Sequence, residues 1–364
     1  MNGVCAAWQK SWFNLSSDSF FFPMIHGTDN KGLRLLGVAL FAITLPLCVG
    51  KYTPADSHEN PHWTPVKGSS SMVVGTPTTD LNGVKYYPVM SLYQGYRRQI
   101  IRVLEPTKPA PGKPHRYVYV LPVEARVTKL SSYWSDGLEE LRLLNVPNRF
   151  NMTLIAPSFE YEPWYGDNDQ DPSHRIESFI VKDLVPFGDS FAKDRQPERL
   201  LLGFSKSGFG ALTLIFRHPD IFDAAAVWDS PTKFRKLSAF DALPLNFGTQ
   251  QNLEHYNIAS LISNAGRPFK CQNRLWIGAD PVALPGDMTE LHHLLMAHSI
   301  PHLWINTGAK LHGWESGWLN EAMIGLDRIS SRTRLSNQGV HPAPPPCMVT
   351  AAAAESTDKI AAAD

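Results

Sequence analysis

From Lys85 onward the chain alternates short apolar runs with amphipathic stretches, and their order predicts an architecture. Two β-rich segments, Lys85 to Leu92 and Arg98 to Leu104, flank a Gly-containing turn and predict an antiparallel hairpin at a sheet edge. A continuous apolar run follows at Tyr117–Leu121, and further mainly apolar runs at Met152–Ala156, Leu200–Leu202, Ala224–Trp228, Arg274–Ile277 and His302–Asn306. Between them, helical patterns cover Asp136–Leu144, His174–Phe191, the stretch after Gly203 to about His218, Met288–His298 and a last segment after Gly313. Strands without a polar face, joined by helical crossovers, belong to a parallel sheet covered on both sides. The expected fold is therefore α/β, with a mostly parallel central sheet, an antiparallel N-terminal edge and helices on both faces. In such sheets chemistry gathers beyond the carboxyl ends of the strands.

The ends of the chain read differently. Residues 1–50 form an N-terminal extension in which Lys31 and Arg34 precede an apolar segment running to Val49. That segment, 33–49, has the length of a signal-peptide core and is short for a membrane span. Its basic residues come late for a signal, which a start codon placed too far upstream or an uncleaved membrane tether would explain. Export to the periplasm or the medium is expected. Residues 51–70 (KYTPADSHENPHWTPVKGSS) read as a linker and 336–364 as a low-complexity tail, leaving a catalytic domain over 71–335.

Composition narrows the classes. The 34 basic and 34 acidic residues balance, so nothing in the charge favours nucleic acid. The four cysteines (Cys5, Cys48, Cys271 and Cys347) show no CxxC and no metal spacing. No metal, no cofactor and no disulfide within the domain are expected.

The chemistry centres on RLLLGFSKSGFGALTLIFRHPDIFDAAAVWDSP, Arg199 to Pro231. An apolar strand stops at Gly203, Ser205 stands at the tip of a small-residue turn, and a helix starts at once. This is the layout of a nucleophile elbow, which lifts a serine hydroxyl clear of the sheet. The usual G-x-S-x-G carries Ser207 at its fifth position here, a side chain small enough for the turn.

An activated serine needs an imidazole to take its proton and an acid to orient that imidazole. His312, in GAKLHGWESGW, is the histidine that falls in the loop after the last strand. For the acid, Asp280 in WIGADP ends the preceding strand and is the expected partner; Asp229 in VWDSP competes, and Asp287 comes third. The oxyanion donors are expected at Lys206 N–H and, in the LPVEA loop, at Val123 or Glu124, since Pro122 has no N–H. Trp164, Tyr165 and Trp228 are candidate walls of a substrate pocket.

Together these residues resemble the putative-esterase branch of the α/β-hydrolases, which includes esterase D, enterochelin esterase, feruloyl esterases and mycolyltransferases. The resemblance rests on GFSKSGFGAL with RHPDIFDAAAVWDSP behind it, IGADP, LHGWESGW and IAPSF followed by RIESFIVKDLVPF. It implies the α/β-hydrolase fold and carboxylic-ester hydrolysis through an acyl-enzyme, and does not fix the substrate; small or carbohydrate-linked esters are the expected ones. In that branch an acidic helix between the third and fourth parallel strands braces the site. An acyltransferase with the same triad and a non-catalytic binding protein on the same scaffold are the other readings.

Overall fold

The computed structural model describes residues 62–108, 116–126, 134–192 and 197–337, all within one compact unit spanning 59–364. The apolar segment 33–49 and nearly all of the expected tail lie outside the described residues. Among the described residues, no helix is long and apolar enough to cross a membrane.

Eleven strands among the described residues form a single sheet. They are β1 (Thr64–Pro65), β2 (Val73–Val74), β3 (Thr78–Thr79), β4 (Lys85–Met90), β5 (Gln99–Leu104), β6 (Arg116–Val120), β7 (Met152–Pro157), β8 (Glu198–Phe204), β9 (Ala224–Trp228), β10 (Leu275–Ala279) and β11 (His302–Asn306). The order is β1-β2-β4-β5-β7-β6-β8-β9-β10-β11, with β3 alongside β4. Pairing is antiparallel from β1 to the β5/β7 contact and parallel from there to β11.

Alternation along each strand feeds two separate cores. Tyr117, Tyr119, Leu201, Ala225, Val227 and Ile277 point to one face, where helix Ser205–Arg217 packs with the segment 176–189 and helix Pro285–Ala297. Val118, Leu200, Leu202, Ala224, Ala226 and Trp276 point to the other, under helices Gly137–Leu143 and Leu319–Asn337. The architecture is that of an α/β-hydrolase.

Two boundaries move. The expected linker 51–70 gives up its last residues to the domain: β1 pairs with β2, and Val66 is buried. The reason is a buried carboxylate. Asp183 accepts hydrogen bonds from the hydroxyls of Ser69 (2.6 Å), Ser71 (2.7 Å) and Ser91 (2.6 Å) and from the Ser71 N–H (3.0 Å). Second, the expected helix His174–Phe191 begins at Ile176 and widens into a π-turn over Ile180–Leu184 before ending at Asp189. Short helices between 243 and 271 have no counterpart among the sequence expectations. Cys271 is disulfide-bonded; the other three cysteines lie outside both the expected domain and the described residues.

The acids of the segment 176–189 tie it to β8, through Asp189 and Arg199 Nη2 (2.7 Å), and to the far end of the helix Ser205–Arg217. Glu177 is buried and accepts from Arg217 Nε (2.7 Å) and Tyr256 OH (2.5 Å), with His218 Nε2 at 2.6 Å. Burial works against its charge, but the His218 and Arg217 contacts overcome it and hold the carboxyl down at about 2. A carboxyl depressed on folding stabilises the native state above its unfolded value and loses that contribution as pH falls through the folded one. Glu177 should therefore withdraw its support between about pH 4.5 and about pH 2. Glu177→Gln should cost about 3 kcal/mol at neutral pH and flatten the acid limb of a denaturation series between those values. An unchanged acid limb would mean that Glu177 is not held as described.

Candidate active site

At the end of β8 the backbone turns sharply. Ser205 sits at φ 51°, the left-handed region that non-glycine residues enter at a cost of about 1–3 kcal/mol and that clusters at functional sites. A Cβ on Gly203 would come within 2.2 Å of the Ser207 carbonyl oxygen, so only glycine fits where strand and helix meet. Ser207 replaces the usual glycine productively. Its buried hydroxyl accepts the Phe204 N–H (3.0 Å) and donates to the Phe204 carbonyl (2.9 Å), stitching the turn from within.

The next strand supplies the neighbour. Asp229, at the end of β9, also adopts a left-handed conformation, with φ 44°. Its carbonyl accepts the Ser205 N–H at 3.1 Å. Its carboxylate is fully buried: Oδ1 accepts from Leu284 N–H (3.0 Å) and Oδ2 meets His312 Nδ1 at 2.6 Å. With the Nδ1 proton donated to the carboxylate, Nε2 is left as the free base. The imidazole is held in orientation by Phe204 (ring centroids 5.1 Å apart) and by Trp228, stacked at 6.0 Å. One residue thus joins the elbow to the histidine, since Asp229 touches Ser205 through its main chain and His312 through its side chain. Burial raises the Asp229 carboxyl above the usual aspartate range, and the His312 contact opposes that rise.

The expected acid, Asp280, is not on His312. It is fully buried at the end of β10, and both oxygens are taken by backbone: Oδ1 by Val282 N–H (2.6 Å), Oδ2 by Lys310 N–H (2.8 Å). The left-handed turn at Asp229 aims that carboxylate at the histidine, whereas Asp280 stays within its own loop. Asp287 lies apart, accepting from Thr232 N–H (2.7 Å) and Lys233 N–H (2.9 Å).

The expected oxyanion loop runs beside the elbow. Leu121 N–H bonds to the Leu202 carbonyl (3.0 Å), which sets the loop carrying buried Val123 and half-buried Glu124 next to the end of β8. Lys206 lies in the first turn of its helix, where N–H groups have no intrahelical acceptor. Its ammonium pairs with Glu162 Oε1 (2.6 Å) and lies 5.3 Å from the centre of the Trp134 ring.

Trp164, Tyr165 and Trp228 are not pocket walls, because all three are fully buried. Trp164 packs among Phe209, Phe234 and Phe240. Trp228 donates its indole N–H to Thr307 Oγ1 (3.0 Å) and stacks on Trp318 at 5.1 Å. Tyr165 gives its hydroxyl to the Pro122 carbonyl while its ring lies against Gly210, where an added Cβ would meet it at 2.2 Å. It wedges the loop that carries Val123 and Glu124 against the elbow helix, a support that sequence spacing does not reveal. Two side chains that drew no attention in the sequence, Val282 and Leu311, stand 59% and 78% exposed on the loops that follow β10 and β11. Among the described residues no cluster of three or more His, Cys, Asp or Glu has metal-binding geometry.

Residues 156–305 match the family model described as putative esterase. No curated protein matches the chain. Among solved structures, an S-formylglutathione hydrolase from Agrobacterium tumefaciens is similar over 70% of this chain and 99% of its own, at 15% identity and a TM-score of 0.53. A ferulic acid esterase is similar over 68% of this chain and 97% of its own, at 17% identity and a TM-score of 0.51. At these identities the two structures speak for the shared fold. The matched segment contains Ser205, Asp229 and Asp280, and the chain shares the α/β-hydrolase fold of these two structures.

Proposed function

We propose that the protein is a serine carboxylic-ester hydrolase whose nucleophile, base and acid are Ser205, His312 and Asp229. The observation that carries this reading is the double attachment of Asp229, whose carbonyl takes the Ser205 N–H and whose carboxylate takes His312. In the reaction His312 Nε2 removes the Ser205 proton as Oγ attacks the ester carbonyl. Asp229 stabilises the resulting imidazolium, and the N–H groups of Lys206 and of Val123 or Glu124 hold the oxyanion. The tetrahedral intermediate collapses to an acyl-enzyme, and the proton on His312 goes to the leaving alcohol. Water then enters by the reverse sequence and releases the acid.

Small or carbohydrate-linked esters are the proposed substrates, with exposed Val282 and Leu311 as apolar contacts at the mouth. Export goes with this reading. It is supported by the apolar stretch 33–49 and by the disulfide at Cys271, since disulfides persist in oxidising compartments.

Ser205→Ala should lower kcat/KM for p-nitrophenyl acetate by roughly 10⁴-fold or more with little change in Tm. Turnover at wild-type rates in that variant would sink the serine mechanism. Tyr165→Phe tests the oxyanion loop separately. Losing its bond to the Pro122 carbonyl should lower kcat on the order of tenfold, with KM nearly unchanged, through misplacement of the loop N–H groups. An unchanged kcat would show that the loop holds its position without Tyr165.

A further inference from the structure

The carboxylate of Asp280 is the buried acid that the proposed mechanism leaves unused. We propose that Asp280 is a positioning residue, a clamp that ties the loop carrying His312 to the end of β10 and so sets the imidazole over the elbow. The inference rests on the esterase reading above but assigns a role to a residue that the mechanism does not employ.

Between Thr307, which is tied to the end of β10, and His312 the loop has few other contacts. Gly308, Ala309 and Leu311 are exposed, and Leu311 turns its side chain to solvent. An apolar side chain facing outward leaves that loop without hydrophobic anchorage at the residue preceding the base. Gly308 N–H bonds only to nearby Asn306 Oδ1 (3.0 Å), a local turn contact. Lys310 N–H reaches across to Asp280 Oδ2 at 2.8 Å, two residues before His312. The other oxygen of the same carboxylate holds Val282 N–H at 2.6 Å. The loop after β10 is then caught a second time, because Leu284 N–H donates to Asp229 at 3.0 Å. Alternate N–H groups of one short loop thus go to the two aspartates, and the carboxylate of Asp280 joins that loop to the one bearing the histidine.

A second tie runs just behind. Thr307 donates its hydroxyl to the Ala279 carbonyl (2.9 Å) and accepts the Trp228 indole N–H (3.0 Å). Trp228 and Ala279 are the residues immediately before Asp229 and Asp280, so the ends of β9, β10 and β11 are fastened to one another at the level of the site. Holding a second buried carboxylate there has a cost, since its charge opposes the ionisation of Asp229. A carboxylate kept against that cost, with both oxygens on loop N–H groups, fits a geometric task for the base.

The test compares Asp280→Ala, Asp229→Asn and His312→Ala, with the double variant Asp280→Ala/His312→Ala, for p-nitrophenyl acetate hydrolysis and Tm. Asp280→Ala should lower kcat by about 10²-fold with KM unchanged, as expected when a base is displaced by about an ångström. Asp229→Asn should lose more, roughly 10⁴-fold, through the wrong tautomer. In the His312→Ala background the Asp280 substitution should have no further effect on the residual rate. The clamp is refuted if Asp280→Ala leaves kcat intact, if its loss equals or exceeds that of Asp229→Asn, or if the loss persists without His312. Should Asp280→Ala fail to fold, Asp280→Asn, which keeps one acceptor, carries the same comparison. Wild-type activity surviving Ser205→Ala would instead overturn the esterase reading itself, a result the Asp280 variants do not mimic.

Discussion

The pairing of His312 with the buried carboxylate of Asp229 is the contact on which the rest of the site depends. In the proposed mechanism the imidazole has no fixed tautomer without it, and the serine at the elbow is an ordinary alcohol. Reaching that contact requires two residues to sit in the left-handed region at the ends of neighbouring strands, Ser205 after β8 and Asp229 after β9. The strain at each is offset by hydrogen bonds that would be lost in a relaxed turn. Ser207 closes the first turn on Phe204, and Leu284 and His312 hold the second through its side chain.

The sheet makes this geometry affordable. Its parallel half packs both faces under helices, so the strand ends are rigid, and the polar groups gather on the loops beyond them. Large aromatic side chains stabilise those loops from below. Trp228 backs His312, Tyr165 wedges the loop after β6, and Trp164 fills the space between the elbow helix and residues 234–240. The acidic segment 176–189 anchors the helix end at Arg217 and His218, and its Asp183 takes in the serines at the start of the domain.

Much of this was legible in the sequence. Parallel strands under helices are largely apolar, so β6 to β11 were found within a few residues of their ends. The elbow announced itself through Gly203 and the small residues behind it. Ser205 and His312 followed from the chemistry a serine needs and from the loop in which a histidine can provide it. Which aspartate meets His312 did not follow, because Asp229 and Asp280 both end a strand and precede a loop. What separates them is a backbone dihedral at Asp229 and the N–H groups of Val282 and Lys310 around Asp280, and neither leaves a mark in residue type. The aromatics misled for a related reason. Tryptophan beside a catalytic loop suits a pocket wall and a core equally well, and burial decides between them. The serine ties of Asp183 were out of reach because their partners are more than ninety residues apart.

The most direct test is proton NMR of protein labelled with ¹⁵N-histidine, following the far-downfield Nδ1–H resonance of a histidine hydrogen-bonded to a buried carboxylate. The pairing with Asp229 predicts that this resonance is present in the native protein, absent in His312→Ala, lost in Asp229→Asn and retained in Asp280→Asn. Loss in Asp280→Asn with retention in Asp229→Asn would contradict it and make Asp280 the partner of His312.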